Sequence, residues 1–113
     1  MSAEPRIAWV VMLSAKDVGS ARKLLFRIQE RLGCEIDLGE VVRYWKDESL
    51  YRCEFDTPLP PEAVGIADGA LMRVTVLAPS WEVMDVTDGG LSGVANSGFS
   101  VAGVTWASFD ARP

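Results

Sequence analysis

Residues 6–14 read RIAWVVMLS, an apolar run with the length of a β-strand. Successive side chains of an extended chain point to opposite faces, and here both faces are apolar. One face carries Ile7, Trp9, Val11 and Leu13, and the other carries Ala8, Val10 and Met12. A strand that is apolar on both faces belongs in the middle of a sheet, where helices cover one face and a partner can cover the other. The stretch therefore predicts a central first strand.

An amphipathic helix is predicted directly after this strand. Ser14 and Asp17 are residue types that cap helix N-termini, and Gly33 is the type that ends a helix. Apolar residues recur between them at intervals of three and four, at Val18, Ala21, Leu25, Ile28 and Leu32. Basic residues lie between the apolar ones, at Arg22, Lys23, Arg27 and Arg31. The pattern predicts a helix with one buried face and one basic face.

A β-hairpin is predicted next. Residues 40–46 (EVVRYWK) and 50–56 (LYRCEFD) read as strands on either side of a polar turn at 47–49. If the hairpin turns at 47–48, the numbers of paired residues sum to about 95. Cys53 then faces Val42, and Cys34 lies near the far end, too distant for a disulfide.

Residues 61–78 fit two patterns. Apolar residues at helical spacing, with Pro61 in a first turn, favour a helix, whereas the alternation of Met72, Val74 and Val76 is typical of a strand. We predict a helix here, because a helix completes a familiar order of elements.

Residues 81–86 and 104–110 then read as strands. The glycine-rich segment 87–103 lacks both the GxGxxG motif and the phosphate-binding lysine, so it is predicted to be a loop.

The order of predicted elements is typical of one α+β domain over residues 1–113. It resembles the ferredoxin-like split βαβ arrangement, βαββαβ, with one more strand at the C-terminus. In such a fold the helices cover one face of an antiparallel sheet. The other face is left open to solvent or to a partner.

The composition excludes several kinds of chemistry. The chain has 113 residues and no histidine, which removes serine–histidine and cysteine–histidine nucleophiles and the common zinc sites. We therefore predict no cofactor, no metal site and no catalytic residue. Two cysteines without CxxC spacing do not form a disulfide scaffold.

The charge distribution bears on the partner and the location of the protein. The net charge is −5, which argues against nucleic-acid binding, since that needs a basic face. Residues 1–33 are net basic and residues 34–113 strongly acidic, so an acidic surface facing a basic partner is an alternative to ordinary solvated charge. The apolar run at 7–13 is short and lacks a basic leader, and no run reaches the roughly 20 residues that span a bilayer. These features predict a cytoplasmic protein.

The aromatic residues point to a binding surface. All four tryptophans, Trp9, Trp45, Trp81 and Trp106, fall on predicted strands, where they either fill the core or lie on the open face. Tryptophan and arginine are enriched at binding hot spots. We predict a non-enzymatic protein-interaction module, either an acidic inhibitor of the immunity-protein kind or a homodimeric accessory protein. Its predicted partner-binding residues are Arg43, Trp45, Asp47, Glu48, Glu54 and Trp106.

An enzymatic alternative comes from a second resemblance. The size and element order resemble the dimeric α+β barrels, in which two sheets face one another around a pocket. Some of those proteins are cofactor-free enzymes that use Trp, Asn, Tyr and Arg, which implies Arg43, Tyr44, Trp45 and Asn96 here. A small-molecule sensor of the ACT type is the third alternative, although the glycine turn expected after its first strand is missing.

Overall fold

A computed structural model describes residues 5–85 and 89–113 of the chain. It confirms an α+β fold, in which two helices pack on an antiparallel sheet of six strands. Residues 86–88 include the end of the predicted strand 81–86 and the start of the predicted loop 87–103, and these positions lie outside the described residues. The elements are β1 Arg6–Ser14, α1 Val18–Leu32, β2 Asp37–Arg43, β3 Leu50–Pro58, α2 Ile66–Leu77, β4 Glu82–Asp85, β5 Leu91–Ala95 and β6 Val104–Arg112.

The strands lie in the order β2-β3-β1-β6-β5-β4. β1 pairs antiparallel with β3 on one side and with β6 on the other, so its predicted central position is confirmed. The α+β class is confirmed as well. This strand order does not by itself establish the ferredoxin-like topology, because β5 and β4 extend the sheet beyond β6.

The core lies between the helices and one face of the sheet. On β1 the inward side chains are Ile7, Trp9, Val11 and Leu13, and each is at most 1% exposed. The indole Nε1 of Trp9 donates to Thr57 Oγ1 at 3.0 Å, and the ring stacks on Phe55 with 5.5 Å between ring centroids. Thr57 is fully buried, and this contact gives its hydroxyl the hydrogen-bond partner that buried polar groups require.

α1 forms as predicted because both of its ends are capped. The carboxylate of Asp17 accepts a hydrogen bond from the backbone N–H of Ser20 at 2.8 Å, which lowers the pKa of Asp17. Gly33 closes the helix with φ 71°, a conformation that favours glycine. Val18 is exposed, so its predicted core position is wrong, and Leu24 is buried instead.

The segment 61–78 contains a helix, α2, and the strand alternative is wrong. α2 begins after Gly65, and the Asp68 carboxylate accepts from the backbone N–H of Val64 at 3.1 Å. Gly69 allows the helix to pack closely on the chain before it. A Cβ at this position would lie 3.0 Å from the Ala63 side chain and 3.1 Å from that of Leu59.

The predicted hairpin register is wrong by one residue. Cys53 lies opposite Val41, not Val42. β2 also starts and ends three residues earlier than predicted, at Asp37 and Arg43. The turn sets this register, since the backbone N–H of Tyr44 donates to the Leu50 carbonyl in the same alignment. A bulge further from the turn shifts the register once more, because Leu38 pairs with Phe55 while Val41 pairs with Cys53, so two residues of β2 oppose one of β3.

The predicted loop over 87–103 is wrong in its centre, where β5 forms. Gly93 marks a close approach between strands and not a turn. A Cβ there would lie 2.8 Å from Phe109 Cε1 and 2.9 Å from the Glu82 carbonyl oxygen. A glycine inside a strand commonly has this role. β6 runs two residues further than predicted, to Arg112.

Candidate interaction surface

Both helices lie on one side of the sheet, and the side chains on its other side form what we call the open face. The registers align three rows of these side chains across the central strands. One row joins Arg52, Met12 and Trp106. The next joins Glu54, Val10, Ser108 and Val94, and the third joins Asp56, Ala8, Asp110 and Ser92.

The middle of the open face is apolar. Val10, Met12, Val94 and Trp106 come from three adjacent strands, and we call them the apolar centre. Val94 is 38% exposed, and the other three are partly exposed. Strict alternation along the predicted strand 104–110 would place Trp106 on the same face as Val104, and the structure corrects this. The register shifts between Met12 and Leu13, so Val104 points into the core and Trp106 points outward.

Paired charges surround the apolar centre. Arg6 contacts Asp37 at 2.6 Å and Asp56 at 3.6 Å. Arg52 contacts Glu54 at 2.8 Å, and Arg112 contacts Asp110 at 3.0 Å. Exposed ion pairs of this kind contribute about 0–1 kcal/mol each, so these groups can exchange partners at little cost. The rim therefore offers both signs of charge.

Towards β4 the open face is concave. A groove of about 430 Å³ runs between β4 and β6, with Met84, Ser92 and Asp110 among its lining residues. A smaller cavity of about 190 Å³ adjoins it, bounded in part by Asn96 and Trp106. Trp81 also borders this cavity, but its indole N–H is already bonded to the carbonyls of Val74 and Ala78.

The hairpin tip, residues 43–48, holds four of the predicted site residues. Trp45 is 82% exposed and follows the end of β2, so its predicted place on a strand is wrong. The Asp47 carboxylate accepts from the hydroxyl and the backbone N–H of Ser49, and these hydrogen bonds lower the pKa of Asp47. Asp47 thus stabilises the turn, while the Glu48 side chain is exposed.

Arg43 ties the hairpin tip to the rest of the fold. Its guanidinium lies over the Tyr51 ring, 4.9 Å from the centroid, and donates to Tyr51 Oη at 2.9 Å. It also donates to the carbonyl oxygens of Lys16 and Glu48. These contacts make Arg43 a structural residue of the hairpin.

The six predicted site residues therefore separate into two groups. Arg43, Trp45, Asp47 and Glu48 lie at the hairpin tip, whereas Glu54 and Trp106 lie on the open face. Sequence reasoning missed Val94, because its strand was predicted to be a loop. Val10 and Met12 did carry a signal, as they form the second apolar face of a central strand.

The order of strands in the sheet separates the four residues that the enzymatic alternative would need close together. Arg43, Tyr44 and Trp45 follow or end β2, while Asn96 follows β5, and β3, β1 and β6 lie between these two strands. Four strand spacings correspond to about 19 Å. The cysteines offer no nucleophile poised for attack. Both are free thiols, and burial raises the pKa of Cys53 to about 11 and also raises that of Cys34.

Within 5–85 and 89–113, no three potential metal-ligating side chains gather in one place. Over the same residues, neither helix has the length and hydrophobicity needed to cross a membrane.

No protein-family model, curated protein or solved structure matches the chain.

Proposed function

We propose that the protein is a non-enzymatic interaction module that pairs with a second copy of itself through the open face. One observation carries this proposal. The apolar centre of Val10, Met12, Val94 and Trp106 lies on the face of the sheet opposite both helices. Contiguous apolar surface surrounded by polar residues is typical of protein interfaces.

The size of the open face supports a stable pair. Six strands spaced about 4.8 Å apart span roughly 24 Å between the first and last strand axes, and the nine-residue β1 is roughly 30 Å long. Because the edge strands are shorter, the face offers about 700 Å², close to the ~800 Å² that each partner contributes to a standard interface.

The rim charges favour a second copy over a basic protein. A two-fold axis places the same patch of both molecules in contact, so an arginine of one copy can meet a carboxylate of the other. The rim holds three arginines paired with four carboxylates, and this near balance of charge suits a second copy better than a strongly basic partner. At the hairpin tip, Arg43 and Lys46 balance Asp47 and Glu48 in number, which gives the inhibitor alternative less support.

The topology is consistent with this mode of pairing. In our proposal β1, β2, β3 and β6, with the two helices, form a ferredoxin-like core, and β4 and β5 are added before its last strand. In the dimeric α+β barrels that the sequence resembles, sheets of that kind meet through their open faces.

A cross-linking experiment tests which face pairs. Ser108 lies beside Val10 near the middle of the open face, so a two-fold axis there brings the two copies of this residue close together. In a Cys34→Ser background, Ser108→Cys is expected to give a covalent dimer with a short bismaleimide. A linker is needed because packed sheets lie about 10 Å apart, beyond the reach of a disulfide.

The matched control is Thr75→Cys, an exposed position on α2 behind the sheet. It is expected to give no covalent dimer under the same conditions, although the non-covalent pair still forms. Cys53 is buried and its raised pKa suppresses the thiolate, so it does not compete. Equal cross-linking yields from Ser108→Cys and Thr75→Cys would contradict the proposed interface.

A further inference from the structure

A second apolar surface lies at the opposite side of the molecule, between α1 and β2. It is a groove of about 220 Å³. Phe26 is 64% exposed and Leu38 is 41% exposed, although both adjoin buried side chains of the core. The groove is lined by Arg22, Leu25, Phe26, Gln29, Ile36 and Leu38. Four of these six residues are aliphatic or aromatic, so the groove suits an apolar side chain.

The groove borders a strand edge that pairs with no other strand of residues 5–85 and 89–113. β2 is the last strand on its side of the sheet. The backbone N–H of Tyr44 donates to the Leu50 carbonyl at 2.8 Å. Because hydrogen-bonded pairs alternate along an antiparallel ladder, the peptide groups of Val41 and Arg43 point away from β3. An extended segment beside β2 can therefore form backbone hydrogen bonds there while its side chains enter the groove.

The basic residues of α1 beside the groove favour an acidic binding segment. α1 carries four basic residues and one acidic residue, Glu30, in a chain whose net charge is −5. Arg22 and Lys23 lie four and three residues before Phe26, and therefore on its side of the helix. Neither forms an ion pair with a described residue. Glu35, Asp37 and Glu40 lie on the β2 side, where Arg6 binds Asp37, so the cationic side of the groove is α1.

We infer that the α1–β2 groove binds an acidic segment of another protein, through one bulky apolar side chain flanked by carboxylates. The apolar side chain packs on Phe26 and Leu38, and the carboxylates meet Arg22 and Lys23. This site is separate from the open face, so a partner can bind the proposed dimer without displacing the second copy.

Three synthetic peptides test the inference by fluorescence anisotropy. The probe is labelled DEFLDE, and its controls are KKFLKK, with the charge reversed, and DESSDE, without the apolar anchor. Saturable binding of DEFLDE at least 10-fold tighter than of either control is expected, weakening as salt rises because exposed charges are screened. Equal binding of KKFLKK, or no saturable binding of DEFLDE, would overturn the inference.

Two protein variants locate the binding site. Phe26→Ser and the double change Arg22→Glu with Lys23→Glu are each expected to weaken DEFLDE binding at least 10-fold. All three side chains are exposed, so the fold should survive, as circular dichroism can verify. Val64→Ser, at a side chain that is 94% exposed and does not line the groove, should bind like the wild type. If Phe26→Ser instead dissociates the dimer, the groove is a contact between copies and the inference is wrong.

Discussion

Replacing Trp9 with alanine is expected to lower the free energy of unfolding by about 3–5 kcal/mol. Trp9 is 1% exposed, stacks on Phe55, and lies 6.3 Å and 6.4 Å between ring centroids from Trp81 and Phe109. The change leaves a cavity between the central strand and the helices and removes the partner of the buried Thr57 hydroxyl. Since small domains are stable by only about 5–15 kcal/mol, this is a large fraction of the total.

Urea denaturation followed by circular dichroism measures this effect. Trp45→Ala is the matched control, because that ring is 82% exposed. Its change should stay within about 0.5 kcal/mol. Trp9→Phe keeps much of the ring volume and loses the hydrogen bond to Thr57, so its cost should lie between those of the other two. If Trp9→Ala costs less than about 1 kcal/mol, the aromatic core described here is incorrect.

Replacing Met12 with lysine is expected to weaken dimerisation at least about 100-fold. Met12 lies on the central strand, beside Arg52 and Trp106 in the middle of the open face. In a face-to-face dimer, the new ammonium group would be buried against the apolar centre of the other copy. An unpaired buried charge costs several kcal/mol, and each 1.4 kcal/mol corresponds to about a tenfold change in affinity.

The same substitution at Met72 provides the control. Met72 lies on α2 and is 37% exposed, so Met72→Lys adds the same charge behind the sheet. Sedimentation velocity should give a monomer for Met12→Lys and wild-type behaviour for Met72→Lys, while both keep the wild-type circular dichroism spectrum. Dissociation of both variants, or of neither, would mean that the open face does not carry the interface.

The elements that sequence predicted well are those in which local and long-range signals agree. α1 has an apolar period, a capping aspartate and a terminal glycine, and the structure contains all three. β1 is apolar on both faces and takes the central place in the sheet. α2 was ambiguous in sequence because apolar residues occur on most of its sides. The structure buries Val74 and Leu77 against the core and leaves Leu71 and Met72 exposed.

The wrong predictions have a common physical cause. Each concerns a feature that is determined by contacts between residues distant in sequence. Gly93 reads as a turn residue, but its missing side chain makes room for Phe109 across the β5–β6 pair. The two register shifts, in β2–β3 and in β1–β6, change which side chains face outward without a clear local signal. For this reason Trp106 was placed beside Val104, and Val94 was not recognised as part of the surface.

The mass of the protein in solution is the most direct test of whether two copies pair through the open face. Sedimentation equilibrium from low micromolar to near-millimolar concentration is expected to show a species of twice the 12.3 kDa chain mass. The open face of about 700 Å² per copy is close to the area of a standard interface, so the dimer is expected to be populated within that range. A mass of one chain at every concentration would contradict the account, because the apolar centre of the open face would then have no second copy to cover it.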